Sequence, residues 1–586
     1  MPRSRFVHPS PDLVGGRDAA ASPRFARRVA GLLGLIVVAR GLALICALPP
    51  FEGWDEYQHV GYVEHLAAGG ATPVVGVTDV PRAVLAGAVA FPQPYSAVRD
   101  GLGASGAVGY SRFWADRDAG TPPTFREGPV RLYQAQHGPL SYQLMRPLYS
   151  AFGGAGDLAA SISAVRLMNV LLTAAAVVVA FAILARHLAD RRAAAWIGLA
   201  LATYPLFLMN GARVANDALA VLLATLTVGA GLSLSSKPWP RPSRLAAACL
   251  GTGLLAGFAV LAKATNYALA PFLGFCLVLI ALRPETSPRR VAACVVAMAA
   301  GFLVVTQAEM RFNLAHYGSI SSMQEAAVNH ARGLGRADLL RVAMNDIPWS
   351  HWVVDLWSRL IFFAGGWSFQ GTDPKAILRH RDLIAIGLSG WIWGAFAWLA
   401  ARRRGEGPPP IFANPRLAPA CVVIVASYTA ALGYHMTQSK LAWGQWSTGA
   451  WYASPAVPWF LALVVLGLLR WPLRGRLRAV PVLALVAASI AAETLAVHGR
   501  MIPLYTGFAP WAEGMDRLAS LHPWWLGRWT MAAAWVVEAV ALAALVLVLR
   551  DAAPAGRPRL RGPVFQRRPV SKAAPATAAA GTAERS

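Results

Sequence analysis

Residues 30–48 read AGLLGLIVVARGLALICAL, and residues 49–66 continue PPFEGWDEYQHVGYVEHL. The first stretch is apolar apart from Arg40. At a rise of about 1.5 Å per residue, a helix of this length covers the ~30 Å hydrocarbon core of a bilayer. The second stretch turns polar at once, with Asp55, Glu56 and His59 close behind a Pro-Pro pair. A spanning helix that delivers carboxylates and imidazoles to one membrane surface is the unit from which the rest of the chain can be read.

Eleven further apolar runs begin near Val165, Ala193, Ala218, Leu245, Tyr267, Val291, Leu383, Leu417, Ala453, Val480 and Trp529. The predicted fold is an all-α polytopic membrane protein with about twelve transmembrane helices and a large first extracytoplasmic loop. Trp352–Gly365 is apolar but short. It reads as an interfacial or re-entrant piece, and would make a thirteenth span if it crossed. Over its 586 residues the chain is 56% apolar and 14% charged, against about 25% charged in soluble proteins. That balance excludes a disordered chain and argues against a soluble enzyme.

The net charge of +25 raises nucleic acid as a partner, but its distribution excludes it. Basic residues gather in the N-terminal arm, at 186–192, 237–244, 283–290, 402–416 and 470–478, and in the tail after Arg550. With twelve spans all seven segments fall on one side, which the positive-inside rule makes cytoplasmic. The expected organisation is a basic cytoplasmic arm (1–29), a transmembrane domain (30–550) and a disordered basic cytoplasmic tail (551–586). The setting is the inner, cytoplasmic membrane. Two long loops lie outside, at 49–164 and 308–382. Loops of that length are usually functional. Between Phe51 and Asp157 the first holds ten acidic and seven basic residues. The five cysteines all lie in apolar runs without a CxxC pair, which argues against disulfides and thiolate metal sites.

After Pro49-Pro50, the segment from Asp55 to Ala68 reads as a short amphipathic helix, with Val60, Val63 and Leu66 facing the membrane. Asp55 and His59 stand four apart, and Glu56 and His59 three apart, so they share a face. Acids in a first helical turn also complement the dipole. A divalent metal held by His59, Asp55 and Glu56 stays open; no other cofactor is implied. Trp443, Trp446, Trp451, Tyr452, Trp524 and Trp525 read as an interfacial aromatic belt. Arg40, deep in an apolar run, marks a functional site or a partner for an intramembrane acid such as Glu493.

The acidic pair Asp55-Glu56 just after span one resembles the first outer loop of the C-type (GT-C) integral membrane glycosyltransferases. These include the protein O-mannosyltransferases and the lipid A aminoarabinose transferases. Further along, His137-Gly138-Pro139-Leu140-Ser141-Tyr142 is similar to their His-x-Pro-Leu-x-Tyr segment, leading to Arg166-Leu167-Met168-Asn169. Asn216-Asp217-Ala218-Leu219-Ala220 is similar to their Asn-Asp-x-Leu-Ala, and Lys263 to their lysine after span five. The match covers roughly residues 30 to 285. Beyond it, Gly449–Ala456 weakly resembles an Arg-Tyr-x-x-Pro segment, with Trp451 where the arginine would stand, so that residue's phosphate role does not carry over.

The resemblance implies transfer of a sugar from a polyprenyl-phosphate donor to an acceptor hydroxyl on the extracytoplasmic side, with inversion, in cell-envelope glycan or glycoconjugate synthesis. The acceptor would be a glycan, a lipid or a protein. Asp55 is then the catalytic base, with Glu56 orienting the acceptor or assisting. Lys263, Arg213 and Arg40 are candidates to hold the carrier phosphate, and Asp217, His137 and His59 to contact substrate. A transporter or flippase for lipid-linked glycans, a polysaccharide polymerase or ligase, and a non-catalytic assembly subunit are the alternatives. The absence of a repeat argues against a secondary transporter.

Overall fold

The computed structural model describes residues 22–92, 107–121, 129–236, 239, 241–284, 286–358, 374–404, 416–445, 449–473 and 475–551. Most of the basic arm and the tail after Asp551 lie outside these. So do the far half of Trp352–Gly365 and the aromatic Trp446. The near half of that segment forms the end of a helix, Trp349–Ser358.

The chain is an all-α polytopic membrane protein. Among the described residues eleven helices are long and apolar enough to cross a bilayer, and one bent pair adds a twelfth. In chain order the spans are Pro23–Ala47, Leu158–His187, Arg191–Ala202 with Pro205–Gly211, Asp217–Ser236, Pro242–Ala262 and Ala264–Ala281. Then follow Pro288–Tyr317, Leu378–Ala400, Leu417–Trp443, Trp451–Leu468, Leu477–Tyr505 and Arg528–Arg550. Each coincides with one of the twelve runs expected from the sequence.

Local chemistry sets several of the ends. Span one starts at Pro23, behind a Ser22 hydroxyl that accepts from the Phe25 N–H at 3.1 Å. Span seven repeats the device with Ser287 and Pro288. Proline suits a first turn because its missing N–H would be unpaired there anyway. Span two opens at Leu158, with Asp157 accepting from the Ala160 N–H at 3.0 Å. That is ahead of the expected Val165, so Arg166 lies two turns inside the span. Span three breaks before Pro205 and bends by 63°, since proline removes a ladder donor and clashes with the preceding turn.

Glycines bring spans together. A Cβ on Gly253 would meet the Met298 carbonyl oxygen at 2.0 Å, and one on Gly257 would meet Val305 Cβ at 2.9 Å. Opposite them, a Cβ on Gly301 would meet the Leu250 oxygen at 2.2 Å. Spans five and seven therefore pack backbone to backbone through a small-xxx-small seam.

The first outer loop has its own core. Its helix Glu56–Ala67 packs against Leu140–Ala151. Val60, Val63 and Leu66 are buried in that core with Tyr142, Met145 and Tyr149, not turned to the membrane. The loop's own apolar residues cover them, which the helical spacing alone could not show. An isolated antiparallel bridge ties 78–80 to 130–132, with the Val80 N–H on the Val130 oxygen at 2.8 Å and the Leu132 N–H on the Thr78 oxygen at 2.9 Å. The bridge carries Tyr133 and Gln134, in the 3-10 turn Tyr133–Gln136, back to the start of Glu56–Ala67.

The inter-span connections separate by charge. Arg283 bonds the Leu234 oxygen at 2.8 Å and Arg478 the Leu469 oxygen at 2.7 Å, at the basic ends of their spans. Asp55, Arg213, Asp217 and Lys263 lie at the opposite ends.

Candidate active site

The site is built where span one hands over to Glu56–Ala67. Gly53 allows the approach: a Cβ there would sit 2.7 Å from Arg213 Cβ. Asp55 follows in the left-handed region at φ 55°, a conformation uncommon outside glycine but one that aspartate enters more readily than most residues. That turn parts Asp55 from Glu56, and the two carboxylates end in different surroundings.

Asp55 is partly buried. Its Oδ1 accepts a short hydrogen bond from the Tyr133 hydroxyl, and its Oδ2 accepts from Gln134 Nε2 at 3.2 Å. Burial raises its pKa above the ordinary carboxylate range. The Tyr133 bond and the charges of Arg213 and Lys263 oppose that rise, and Asp217 adds to it.

Glu56 is fully buried. Arg166 grips it with Nε at 2.8 Å and Nη2 at 2.5 Å. The Val214 N–H donates to it at 2.7 Å and the Gly53 N–H at 3.3 Å. Arg166 also donates to the Leu48 and Pro49 oxygens at 2.6 and 2.8 Å. Both carboxylate oxygens are thus engaged, and the pair ties the end of span one to span two and to the turn before span four.

Asp217, at the start of span four, accepts from Arg213 Nη2 at 2.9 Å and from Lys263 Nζ at 2.6 Å. All three are buried. Two cations around one anion leave one excess positive charge. Arg213 also donates to the Trp54 oxygen at 2.5 Å. Lys263 occupies the extended break between spans five and six, and its ammonium lies 4.7 Å from the Tyr452 ring centre. Beside these, the Asn216 side chain is fully buried, with no hydrogen-bond partner for either polar atom among the described residues. His137 Nδ1 is likewise unpartnered. Burial lowers the His137 pKa to about 3, with Lys263 acting in the same direction, so the imidazole is neutral near pH 7.

Gly138 explains how the His137 segment reaches the site. A Cβ there would meet the Leu261 oxygen at 2.5 Å, and Ser141 Oγ donates to the Ala262 oxygen at 3.3 Å. The segment lies directly on the end of span five.

The structure brings together Asp55, Arg213, Asp217, Lys263 and His137. It separates the others. His59 Nδ1 bonds the Tyr142 hydroxyl at 2.9 Å instead of facing Asp55. With Asp55 on Tyr133 and Gln134, Glu56 on Arg166 and His59 on Tyr142, the three do not converge on a metal. Among the described residues no group of three or more His, Cys, Asp or Glu side chains forms a metal-binding arrangement. Arg40 pairs with Glu493 at 2.7 Å and with Glu538. No hydrogen bond or ion pair among the described residues joins it to Asp55. Both outer guanidinium nitrogens face carboxylates, the pairing with an intramembrane acid that the sequence offers as the alternative to a carrier-phosphate role.

Two aromatics leave the belt for the site. Trp451 stacks on Trp54 at 4.7 Å, with the Arg213 guanidinium 5.9 Å from its ring centre. Tyr452 lies between Lys263 and His435, whose ring is 5.3 Å away. Trp524, by contrast, is 95% exposed, as a belt residue would be. The second outer loop also reaches the site. Ser322 donates to the Gln136 oxygen at 2.6 Å, and Glu325 lies 3.7 Å from His435.

Tyr133, Gln134 and Glu325 are not among the residues the sequence singles out, and Arg166 stands in the Arg166–Asn169 motif without an assigned role. Arg166 had a local signal, a cation inside an apolar run. The others had none, because the bridge and the loop contacts that place them are non-local.

No protein-family model matches the chain, and no curated protein matches it in sequence. Among solved structures it is similar to the S. cerevisiae protein O-mannosyltransferase Pmt1-Pmt2 complex bound to the sugar donor. That match has 13% identity and a TM-score of 0.31, and covers 51% of this chain and 36% of that one. It is also similar to ArnT from Cupriavidus metallidurans bound to undecaprenyl phosphate, at 14% identity and a TM-score of 0.43, over 91% of this chain and 78% of that one.

Proposed function

We propose that the chain is a membrane glycosyltransferase that moves a sugar from a polyprenyl-phosphate carrier to an acceptor hydroxyl, on the extracytoplasmic face of the cytoplasmic membrane. The observation that carries this reading is the pairing of unlike groups at one membrane surface. A partly buried carboxylate with a raised pKa, Asp55, stands within electrostatic reach of the cationic Arg213–Asp217–Lys263 group. The motifs in Asp55-Glu56, His137–Tyr142, Asn216–Ala220 and Lys263 support the same reading.

In this scheme the acceptor oxygen attacks the anomeric carbon while Asp55 takes the hydroxyl proton. A raised pKa makes the carboxylate a better base than a free aspartate. The bond from the anomeric carbon to the phosphate oxygen breaks, and its electron pair stays on the lipid phosphate. Lys263 and Arg213 carry the excess charge that meets the developing anion. One displacement on one face inverts the anomeric centre. The unpartnered Asn216 amide and His137 Nδ1 are available to the sugar or acceptor. Glu56 acts by holding the loop through Arg166, which makes it a positioning residue. The basic ends of the spans, on the face opposite the site, support the outward location under the positive-inside rule.

The test is a transfer assay in reconstituted vesicles with a panel of radiolabelled polyprenyl-phosphate sugars and a crude envelope fraction as acceptor. Wild type should move label to the acceptor. Asp55→Asn should lower the rate by about 10²–10⁴-fold, the usual contribution of a general base, with expression unchanged. Transfer unaffected by Asp55→Asn would refute the assignment of the base. Movement of an intact lipid-linked glycan across the bilayer, with no transfer from any donor, would replace the enzyme by a flippase.

A further inference from the structure

A second polar cluster lies inside the bundle, apart from Asp55. Spans one, eleven and twelve border a cavity of about 500 Å³ lined in part by Arg40, Glu493, His498, Trp511, Trp535 and Glu538. Arg40 sits seven residues before the end of span one, and Glu538 ten residues after the start of span twelve. At about 1.5 Å per residue they lie roughly 10 and 15 Å below those ends.

The charges do not balance. One guanidinium faces two carboxylates, with Arg40 Nη2 2.7 Å from Glu493 Oε1 and Nη1 on Glu538 Oε1. Glu493 Oε2 is buried without a hydrogen-bond partner, and so is His498 Nδ1. An unpaired buried charge is costly, and intramembrane carboxylates are rare outside functional positions. Two tryptophans line the same cavity as Glu493 and pack on His498. Trp535 lies edge-on to His498 at 4.6 Å, and Trp511 is 5.8 Å from the same ring. His498 itself stands in a π-helical turn, Val497–Met501. Such bulges are frequent at functional sites, because the extra residue re-aims side chains.

We infer that this cavity binds an organic ammonium group, seated against Glu493 Oε2 and the tryptophan rings. The net charge of the triad selects a monocation. Its volume far exceeds a bare metal ion, and tryptophan faces attract ammonium groups through their quadrupoles. A cation is favoured over an anion, because the single guanidinium of Arg40 already faces two carboxylates. A proton alone would balance the charge but would leave the cavity and its aromatic walls without a ligand. The ammonium is either that of a small soluble amine or that of a lipid head group. The site is independent of the transfer reaction.

The experiment follows the melting temperature of the purified full chain in detergent. It is titrated with ethanolamine and with dihexanoylphosphatidylethanolamine, and in parallel with ethylene glycol and dihexanoylphosphatidylglycerol. Saturable stabilisation by ethanolamine assigns a soluble amine. Stabilisation by the amine lipid alone assigns a lipid head group. Either result is expected to weaken at least tenfold in Glu538→Gln, which removes the excess negative charge. Ala539→Leu fills the cavity wall and keeps the triad, so it should weaken binding similarly even if Glu538→Gln fails to fold. Neither amine acting, the glycol controls acting equally well, or amine binding unchanged in Ala539→Leu would each overturn the inference.

Discussion

Asp55 and Glu56 are neighbours in sequence with opposite fates, and the left-handed backbone at Asp55 is the cause. It turns Glu56 inward to Arg166 and leaves Asp55 on the two side chains delivered by the 78–132 bridge. Glu56→Gln should therefore destabilise the protein by about 3–5 kcal/mol, because it leaves the Arg166 guanidinium buried against a neutral amide. Asp55→Asn should unfold near wild type in the same denaturation experiment; equal losses in the two variants would contradict the division of roles. The acidic limb of the pH profile for kcat/KM should lie above the ordinary carboxylate value of about 4, since burial raises the Asp55 pKa. Activity is lost as pH falls through that limb, when the base becomes protonated. The histidines act on stability. Burial lowers both His137 and His522 to about 3, against about 6.5 in an unfolded chain. The unfolded state binds more protons between those values, so stability should decline as pH falls from about 6.5 toward 3. A melting temperature flat across that window would show these imidazoles to be charged or solvated.

Among the elements, the seam between spans five and seven sets the position of Lys263, which lies one residue beyond span five. Gly253, Gly257 and Gly301 let the two backbones touch. Gly253→Val would force them apart, at a cost of roughly 1–3 kcal/mol for overpacking. Because Lys263 would shift from Asp217, the donor KM should rise along with the loss in melting temperature. A melting loss with an unchanged donor KM would mean that the seam supports the bundle without setting the site. The bend of span three at Pro205 has a related consequence. The short helix after the bend ends at Gly211, so Arg213, Val214 and Asn216 lie outside any helix and the Val214 N–H is left for Glu56.

For the whole molecule, sidedness is the main expectation. The native cysteines described by the structure are all buried, so added thiols should report cleanly. Val77 in the first outer loop is 68% exposed, and Leu282 at the basic end of span six is 74% exposed. In intact cells a membrane-impermeant maleimide should label Val77→Cys and not Leu282→Cys. The reverse pattern would invert the topology and put the site inside. The twelve spans were readable from sequence because lipid demands long uninterrupted apolar runs with internally paired backbones, a constraint written residue by residue. Basic loops marked one face for the same kind of reason. Asp55, Asp217, Lys263, Arg213 and His137 stood out because short polar motifs at span ends are conspicuous against apolar neighbours. Tertiary structure decided the partners. Tyr133 and Gln134 reach Asp55 across 78 and 79 positions, and Arg40 meets Glu493 and Glu538 across the bundle. Hydrogen bonds and ion pairs depend on where side chains converge in space, and no periodicity or composition encodes that.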